Sequence, residues 1–273
     1  MLKQRFITAV VLAVPVLTAI FAASPAVLGM ILSLFCVPAA WEWANLAGMG
    51  KVQKLGYGGL VGGAIVAMAI FAPAPETWFD QDWVLVLMSV ASICWVWAVA
   101  KVLTFDGENG PDRAIIAAAG VLLIPATWLS VVLLKAMMPN GGLILILMFL
   151  VWGADVGAYF TGKRFGKTKL APKVSPGKTW EGMAGGLVAA LALGTILALA
   201  FGLPLTGWLI GLMLLTIIIS VPGDLFESVL KRSAGIKDSS NLLPGHGGVL
   251  DRIDSLMAAG PIFALGILLM ERL

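Results

Sequence analysis

Long apolar runs recur along all 273 residues, separated by short polar segments. Each run is about 18 residues or longer, the length an α-helix needs to cross the hydrocarbon core of a bilayer. The pattern predicts spans at about 6–23, 26–47, 57–74, 83–104, 114–134, 142–162, 183–202, 206–230 and 249–270. Backbone groups in lipid must be bonded within the spanning structure, which leaves helices or a closed barrel. The runs are too long and too evenly apolar for alternating barrel strands. The expected fold class is therefore all-α, a polytopic integral membrane protein with about nine transmembrane helices. The first run follows Lys3 and Arg5 and ends in Ala22-Ala23-Ser24-Pro25, as a signal peptide does. Its apolar core is long for one, and it reads as a retained helix.

Composition agrees with this pattern. The chain is 60% hydrophobic and 12% charged, against about a quarter charged in soluble domains. Cys36 and Cys94 both fall inside apolar runs, so neither a disulfide frame nor a zinc site is expected. His246 is the sole histidine, which excludes multi-histidine metal chemistry. Net charge is only +3, and no nucleic-acid partner is expected.

Charge placement orients the spans. With the N-terminus inside, segments 1–5, 48–56, 105–113, 163–182 and 231–248 are cytoplasmic. Of the 18 Lys and Arg, only Lys135 and Arg272 then fall outside. This matches the positive-inside rule and predicts a cytoplasmic N-terminus and an outer C-terminus. Loop 75–82 is acidic, with Glu76, Asp80 and Asp82, and Trp78 and Trp83 suit a membrane interface. Residues 1–140 read as an N-terminal block of about five spans. Residues 141–273 hold most of the polar material and read as the catalytic block. Gly58, Gly59, Gly62 and Gly63, and separately Gly182 and Gly186, form small-residue pairs suited to helix packing or to a homodimer.

The candidate chemistry concentrates in 220–255. Pro222-Gly223 predicts a broken or kinked helix. Asp224, Glu227, Ser228 and Lys231 follow at i, i+3, i+4 and i+7, so they share one helical face. Asp251, Asp254 and Ser255 repeat that spacing after the His246-Gly247-Gly248 hinge. Carboxylates at two helix ends suit Mg²⁺ or Mn²⁺, which prefer oxygen ligands. The plainer alternative is interfacial charge paired with Lys231, Arg232 and Arg252.

A second group begins at Asp155, an ionisable residue near the end of a span. The following loop carries Lys163, Arg164, Lys167, Lys169, Lys173 and Lys178, interleaved with Ser175, Thr179 and glycines. It suits phosphate binding by charge and backbone donors, or simple attraction to anionic lipid. Gly177-Lys178-Thr179 ends like a phosphate-binding loop, but Pro172 stands where its first glycine belongs.

Residues 228–254, from Ser228 through Lys231-Arg232, Lys237-Asp238 and His246-Gly247-Gly248 to Asp251-Arg252 and Asp254, resemble the signature of the phosphatidate cytidylyltransferases. Residues 175–182 and the Asp155 region resemble that family too, so the C-terminal 120 or so residues carry the likeness. Ser239-Ser240 depart from the Phe-Gly common there, at positions expected to touch no ligand. The resemblance implies that CTP and phosphatidate give CDP-diacylglycerol and pyrophosphate. It implies Asp224 and Asp251 as holders of Mg²⁺ or Mn²⁺, with Glu227, Asp254 and Asp155 as ligands or ion-pair groups. Lys231, Arg232, Lys237 and Arg252 would contact phosphates, and Asp238 and His246 complete the catalytic set. Lys167, Lys173, Ser175, Lys178, Thr179, Glu181 and Ser228 would bind substrate. A monovalent cation is a further candidate at this site. No general base or covalent nucleophile is required, because the attacking phosphate is already anionic. The implied setting is a bacterial inner membrane, with membrane lipids as neighbours and the active site facing the cytoplasm. Rival readings are a CTP-dependent lipid kinase, an ion-coupled transporter and a lipid-binding scaffold.

Overall fold

A computed structural model describes residues 14–71, 75–243 and 247–272. Nine α-helices run through these residues. They are α1, described over 14–22, then α2 (Pro25–Leu46), α3 (Lys51–Phe71), α4 (Asp82–Thr104), α5 (Arg113–Met137), α6 (Gly142–Phe165), α7 (Trp180–Ala200), α8 (Gly207–Ser233) and α9 (Leu250–Arg272). Eight of them, α2 to α9, are long and apolar enough to cross a bilayer. The chain is a multi-pass membrane protein. Parts of the first and third expected spans lie outside the described residues, as does His246.

Two features differ from the expected pattern. Helix α3 starts at Lys51 rather than near 57. Its first turn is polar and held by side chains: the Gly50 amide donates to Gln53 and Lys54 reaches Asn45. A short antiparallel hairpin also interrupts the helices, with β1 (Lys169–Ala171) paired to β2 (Ser175–Thr179) and a bulge between its two registers.

Local signals start the helices. Ser24 caps α2 with Pro25 in its first turn, and Asp112, Thr179 and Thr206 cap α5, α7 and α8 through their side-chain oxygens. The connections segregate to two faces. On one, Gly48 abuts the Arg113 guanidinium and Gly110 abuts Ser233. On the other, the buried Lys135 ammonium donates to the carbonyls of Ile20 and Pro139, and Trp208 Nε1 donates to Gly266 O at 2.9 Å. The first face gathers the ends of α2, α4, α6 and α8 and the starts of α3, α5, α7 and α9.

Small residues set the closest helix contact. A Cβ on Gly186 would lie 2.5 Å from Ala154 O, and one on Gly182 would lie 2.9 Å from Ala158 O. Helices α6 and α7 therefore touch backbone to backbone, as small-residue stripes allow. Around Gly58, Gly59, Gly62 and Gly63 a methyl would meet nothing within 4 Å among the described residues.

Helix α8 continues through Pro222-Gly223 as one helix, so the expected break does not occur. Proline is tolerated in spanning helices when neighbours support the freed backbone, and α2, α5 and α9 also contain one. Gly223 serves a different purpose. A Cβ there would lie 2.8 Å from Ala258 Cβ and 3.0 Å from Asp254 O. Its absence lets α9 approach α8 where both carry carboxylates. Phe226 packs edge-on against Trp95 and Trp97, with centroids 5.9 and 5.6 Å away, and fixes the rotation of α8 against α4.

Candidate active site

The shared face of α8 forms as its spacing implies. Lys231 Nζ bridges Glu227 Oε2 at 2.7 Å and Asp251 Oδ1 at 2.6 Å, joining α8 to the first turn of α9. The other Asp251 oxygen accepts from Gly248 N at 2.7 Å, Ser239 Oγ at 2.9 Å and Ser239 N at 3.0 Å. Both of its oxygens are thus engaged. Ser239 does touch a proposed ligand, which corrects the expectation for the Ser239-Ser240 departure. The signature loop folds back on α9, and its side chains meet the helix start.

Asp224 lies one turn before Glu227. It pairs with Lys178 of β2, Oδ2 to Nζ at 2.6 Å. Asp155 of α6 lines the same cavity as Lys178. Asp254 of α9 lies beside Glu227, and its carbonyl approaches Gly223, the residue before Asp224. An acidic row thus follows α8 from the Lys178–Asp224 pair to the Lys231–Glu227–Asp251 cluster, with Asp155 beside Lys178 in one cavity lining and Asp254 beside Glu227 in another.

That row has an orphaned atom. Glu227 is 3% exposed, and among the described residues its Oε1 has no donor. Asp254 is the neighbouring carboxyl, and two carboxyl groups cannot bond without a proton or a cation between them. Both residues line a cavity of about 10 Å³ together with Trp95, whose buried Nε1 also lacks a partner. Among the described residues, no three acidic, histidine or cysteine side chains converge tightly enough to form a finished ligand shell. Ammonium groups stand between the carboxylates instead. The donors are all oxygen, negative charge exceeds the two lysines, and one buried oxygen is unmatched. This chemistry fits a hard divalent cation.

Beside Asp155 and Lys178 opens a larger cavity of about 470 Å³. Asp155, Lys163, Ser175 and Lys178 supply its polar lining, while Met183, Leu187, Ile217, Ile218 and Val221 supply its apolar lining. The hairpin and the close α6–α7 pair form its walls. Thr179 and Glu181 are committed to the hairpin itself. Thr179 Oγ1 accepts from Gly182 N at 3.1 Å, and the Glu181 carboxylate accepts from the Lys167 and Thr168 amides at 3.1 Å. Lys167, Lys173, Arg232, Lys237, Asp238 and Arg252 are exposed, and Ser228 is half-buried on α8.

Glu42 was not anticipated. It is buried in α2 and accepts hydrogen bonds from Ser240 Oγ, Leu250 N, Val249 N and Ser239 Oγ at 2.6 to 3.1 Å. Its signal was available in Trp41-Glu42-Trp43, a lone charge inside an apolar run.

Carboxylates and lysines gather at one face of a helical membrane protein, beside a cavity with both charged and apolar lining. The chain belongs to the cytidylyltransferase family, whose sequence model matches residues 3–270. It is 45% identical over 268 residues to the phosphatidate cytidylyltransferase of Pseudomonas aeruginosa, covering 97% of this chain and 96% of that protein. It is 39% identical over 285 residues to the enzyme of the same name from Haemophilus influenzae, covering 97% and 98%. A Bacillus subtilis phosphatidate cytidylyltransferase is 54% identical over 114 residues, 41% of this chain and 42% of that protein.

Proposed function

We propose that the chain transfers the cytidylyl group of CTP to phosphatidate, giving CDP-diacylglycerol and pyrophosphate. The observation that carries this reading is the 470 Å³ cavity beside Asp224, lined by Lys163, Lys178 and Asp155 together with apolar side chains. A phospholipid needs that combination, and full-length relatives bearing the same enzyme name support it.

The lipid phosphate enters at Lys163, Ser175 and Lys178, and its tails run along Met183, Leu187 and Ile218. One of its oxygens attacks the α-phosphorus of CTP, and the bond to the β-phosphate oxygen breaks in line with it. Two anions must approach one another, so positive charge at fixed positions is the main catalytic requirement. Lys178 and Lys231 supply it inside the site, and Arg232, Lys237 and Arg252 supply it at the exposed rim. Mg²⁺ or Mn²⁺, held by Asp224, Asp254 and Glu227 with Asp251 alongside, would offset phosphate charge further. The carboxylates keep the lysines oriented between turnovers. No side chain need take a proton from the attacking phosphate.

The N-terminus is cytoplasmic, the C-terminus lies outside, and the site opens to the cytoplasm of a bacterial inner membrane. The excess of Lys and Arg on one set of connections and the bacterial relatives support this orientation.

The test uses purified protein in lipid nanodiscs with CTP labelled at the α-phosphate, phosphatidate and graded Mg²⁺. Label entering the lipid with one pyrophosphate released per event is the expected result. Release of CDP with unlabelled lipid product would make the protein a lipid kinase and overturn the reading.

A further inference from the structure

Glu42 lies in α2 and is 2% exposed. A charge inside an apolar span is costly unless dedicated partners hold it. Its four partners all come from the far end of the chain. Oε1 accepts from Ser240 Oγ at 2.6 Å and Val249 N at 3.0 Å, and Oε2 accepts from Leu250 N at 2.8 Å and Ser239 Oγ at 3.1 Å. The two amides open α9, where unpaired N–H groups and the helix dipole favour an anion. Asp251 is the next residue, and it shares Ser239 with Glu42: that hydroxyl lies between the two carboxylates. Gly248 records the same fit, since a Cβ there would lie 2.6 Å from Glu42 Oε1.

We propose that Glu42 is a positioning residue of the active site. Its buried carboxylate clamps Ser239, Ser240 and the first turn of α9, and so holds Asp251 against Lys231. The clamp rests on its four hydrogen bonds. Its catalytic consequence rests on the cytidylyl-transfer reading. Helix α2 thereby ties the N-terminal half of the chain to the signature loop.

The test compares Glu42→Gln, Glu42→Asp, Ser239→Ala and Ser240→Ala with wild type, as full-length protein in nanodiscs. Gln keeps the shape of Glu but puts an NH₂ where a backbone N–H needs an acceptor. The kcat of Glu42→Gln falls at least about tenfold, while KM for CTP and for phosphatidate stays within about threefold. Glu42→Asp keeps the charge and recovers part of the rate. Each serine variant loses about threefold in kcat. Hydrogen exchange at residues 247–251 quickens in Glu42→Gln, with α6 and α7 unchanged. An unaltered kcat per folded molecule, or exchange that quickens equally throughout, overturns the proposal. If Glu42→Gln does not fold, the serine variants decide, and wild-type kcat in both overturns it. If wild type shows no transfer, the functional reading fails by itself, and the clamp then stands or falls on exchange at 247–251 alone.

Discussion

The Lys178 ammonium lies 2.6 Å from the Asp224 carboxylate and joins the hairpin to α8. Both side chains keep roughly a quarter to a third of their exposure, so the pair adds little to stability, about 0–1 kcal/mol. Its importance is positional. It holds the cationic hairpin over the acidic row at the mouth of the large cavity. Lys178→Ala is expected to lower kcat/KM by about a hundredfold or more, while thermal unfolding shifts little. Steady-state kinetics beside a melting curve checks this. A large loss of stability with intact turnover per folded molecule would show the pair to be structural.

Filling the cavity at its apolar side chains separates the two substrates. Leu187→Trp adds bulk to the apolar lining proposed to hold the lipid tails. KM for phosphatidate is expected to rise about tenfold, with KM for CTP within about twofold. Substrate titrations in mixed micelles measure both. A rise confined to CTP would assign the cavity to the nucleotide.

The two glycines after His246 have different duties. Gly247 has φ +79°, and a Cβ there would also lie 2.6 Å from Asp251 Oδ2. Gly248 gives up its Cβ position to Glu42 and Ser239. Gly248→Ala is expected to cost about 1–3 kcal/mol and to lower kcat, because the intruding methyl moves the clamp on α9. Denaturation in detergent and turnover together test this.

The α6–α7 contact is equally intolerant. Gly186→Leu drives a side chain into the Ala154 carbonyl, which is backbone and cannot rotate away. Loss of folded protein is expected, whereas Gly59→Leu is expected to leave the yield unchanged because no described atom lies within 4 Å of a Cβ there. Size-exclusion profiles of the two variants give the comparison. Equal yields would contradict the packing described.

Much of this was legible in the sequence, for identifiable reasons. The spans were readable because crossing a bilayer demands long apolar runs. The common face of Asp224, Glu227 and Lys231 was readable because helical spacing alone implies it. The start of α3 was not, because a polar turn before a span looks like loop. The hairpin was not, because its strands are three and five residues long and contain Pro176 and Gly177, poor strand formers. Of the break or kink expected at Pro222, the break is absent: local rules weigh proline without its neighbours, and here α9 packs directly on Gly223. The partners of Glu42 and Lys178 were invisible, since no local pattern ties Glu42 to Leu250 or Lys178 to Asp224. Glu42 itself could have been picked out as a lone charge in lipid.

Sidedness is open to a direct chemical test. In a background of Cys36→Ala and Cys94→Ala, a cysteine replacing exposed Lys237 is expected to resist a membrane-impermeant maleimide in intact spheroplasts. A cysteine replacing exposed Asp80 is expected to react. The reverse pattern would invert the topology and put the acidic row outside.

The central claim is that the acidic row along α8, with Asp155 and Asp254 beside it, organises transfer between two anionic substrates. The most direct measurement is the initial rate at which the α-phosphate label of CTP enters phosphatidate, in wild type and in Asp224→Asn, with folding of both verified by their melting curves. A fall of about a thousandfold in the variant, with the protein still folded, is the predicted result. Turnover within a few fold of wild type would contradict the account.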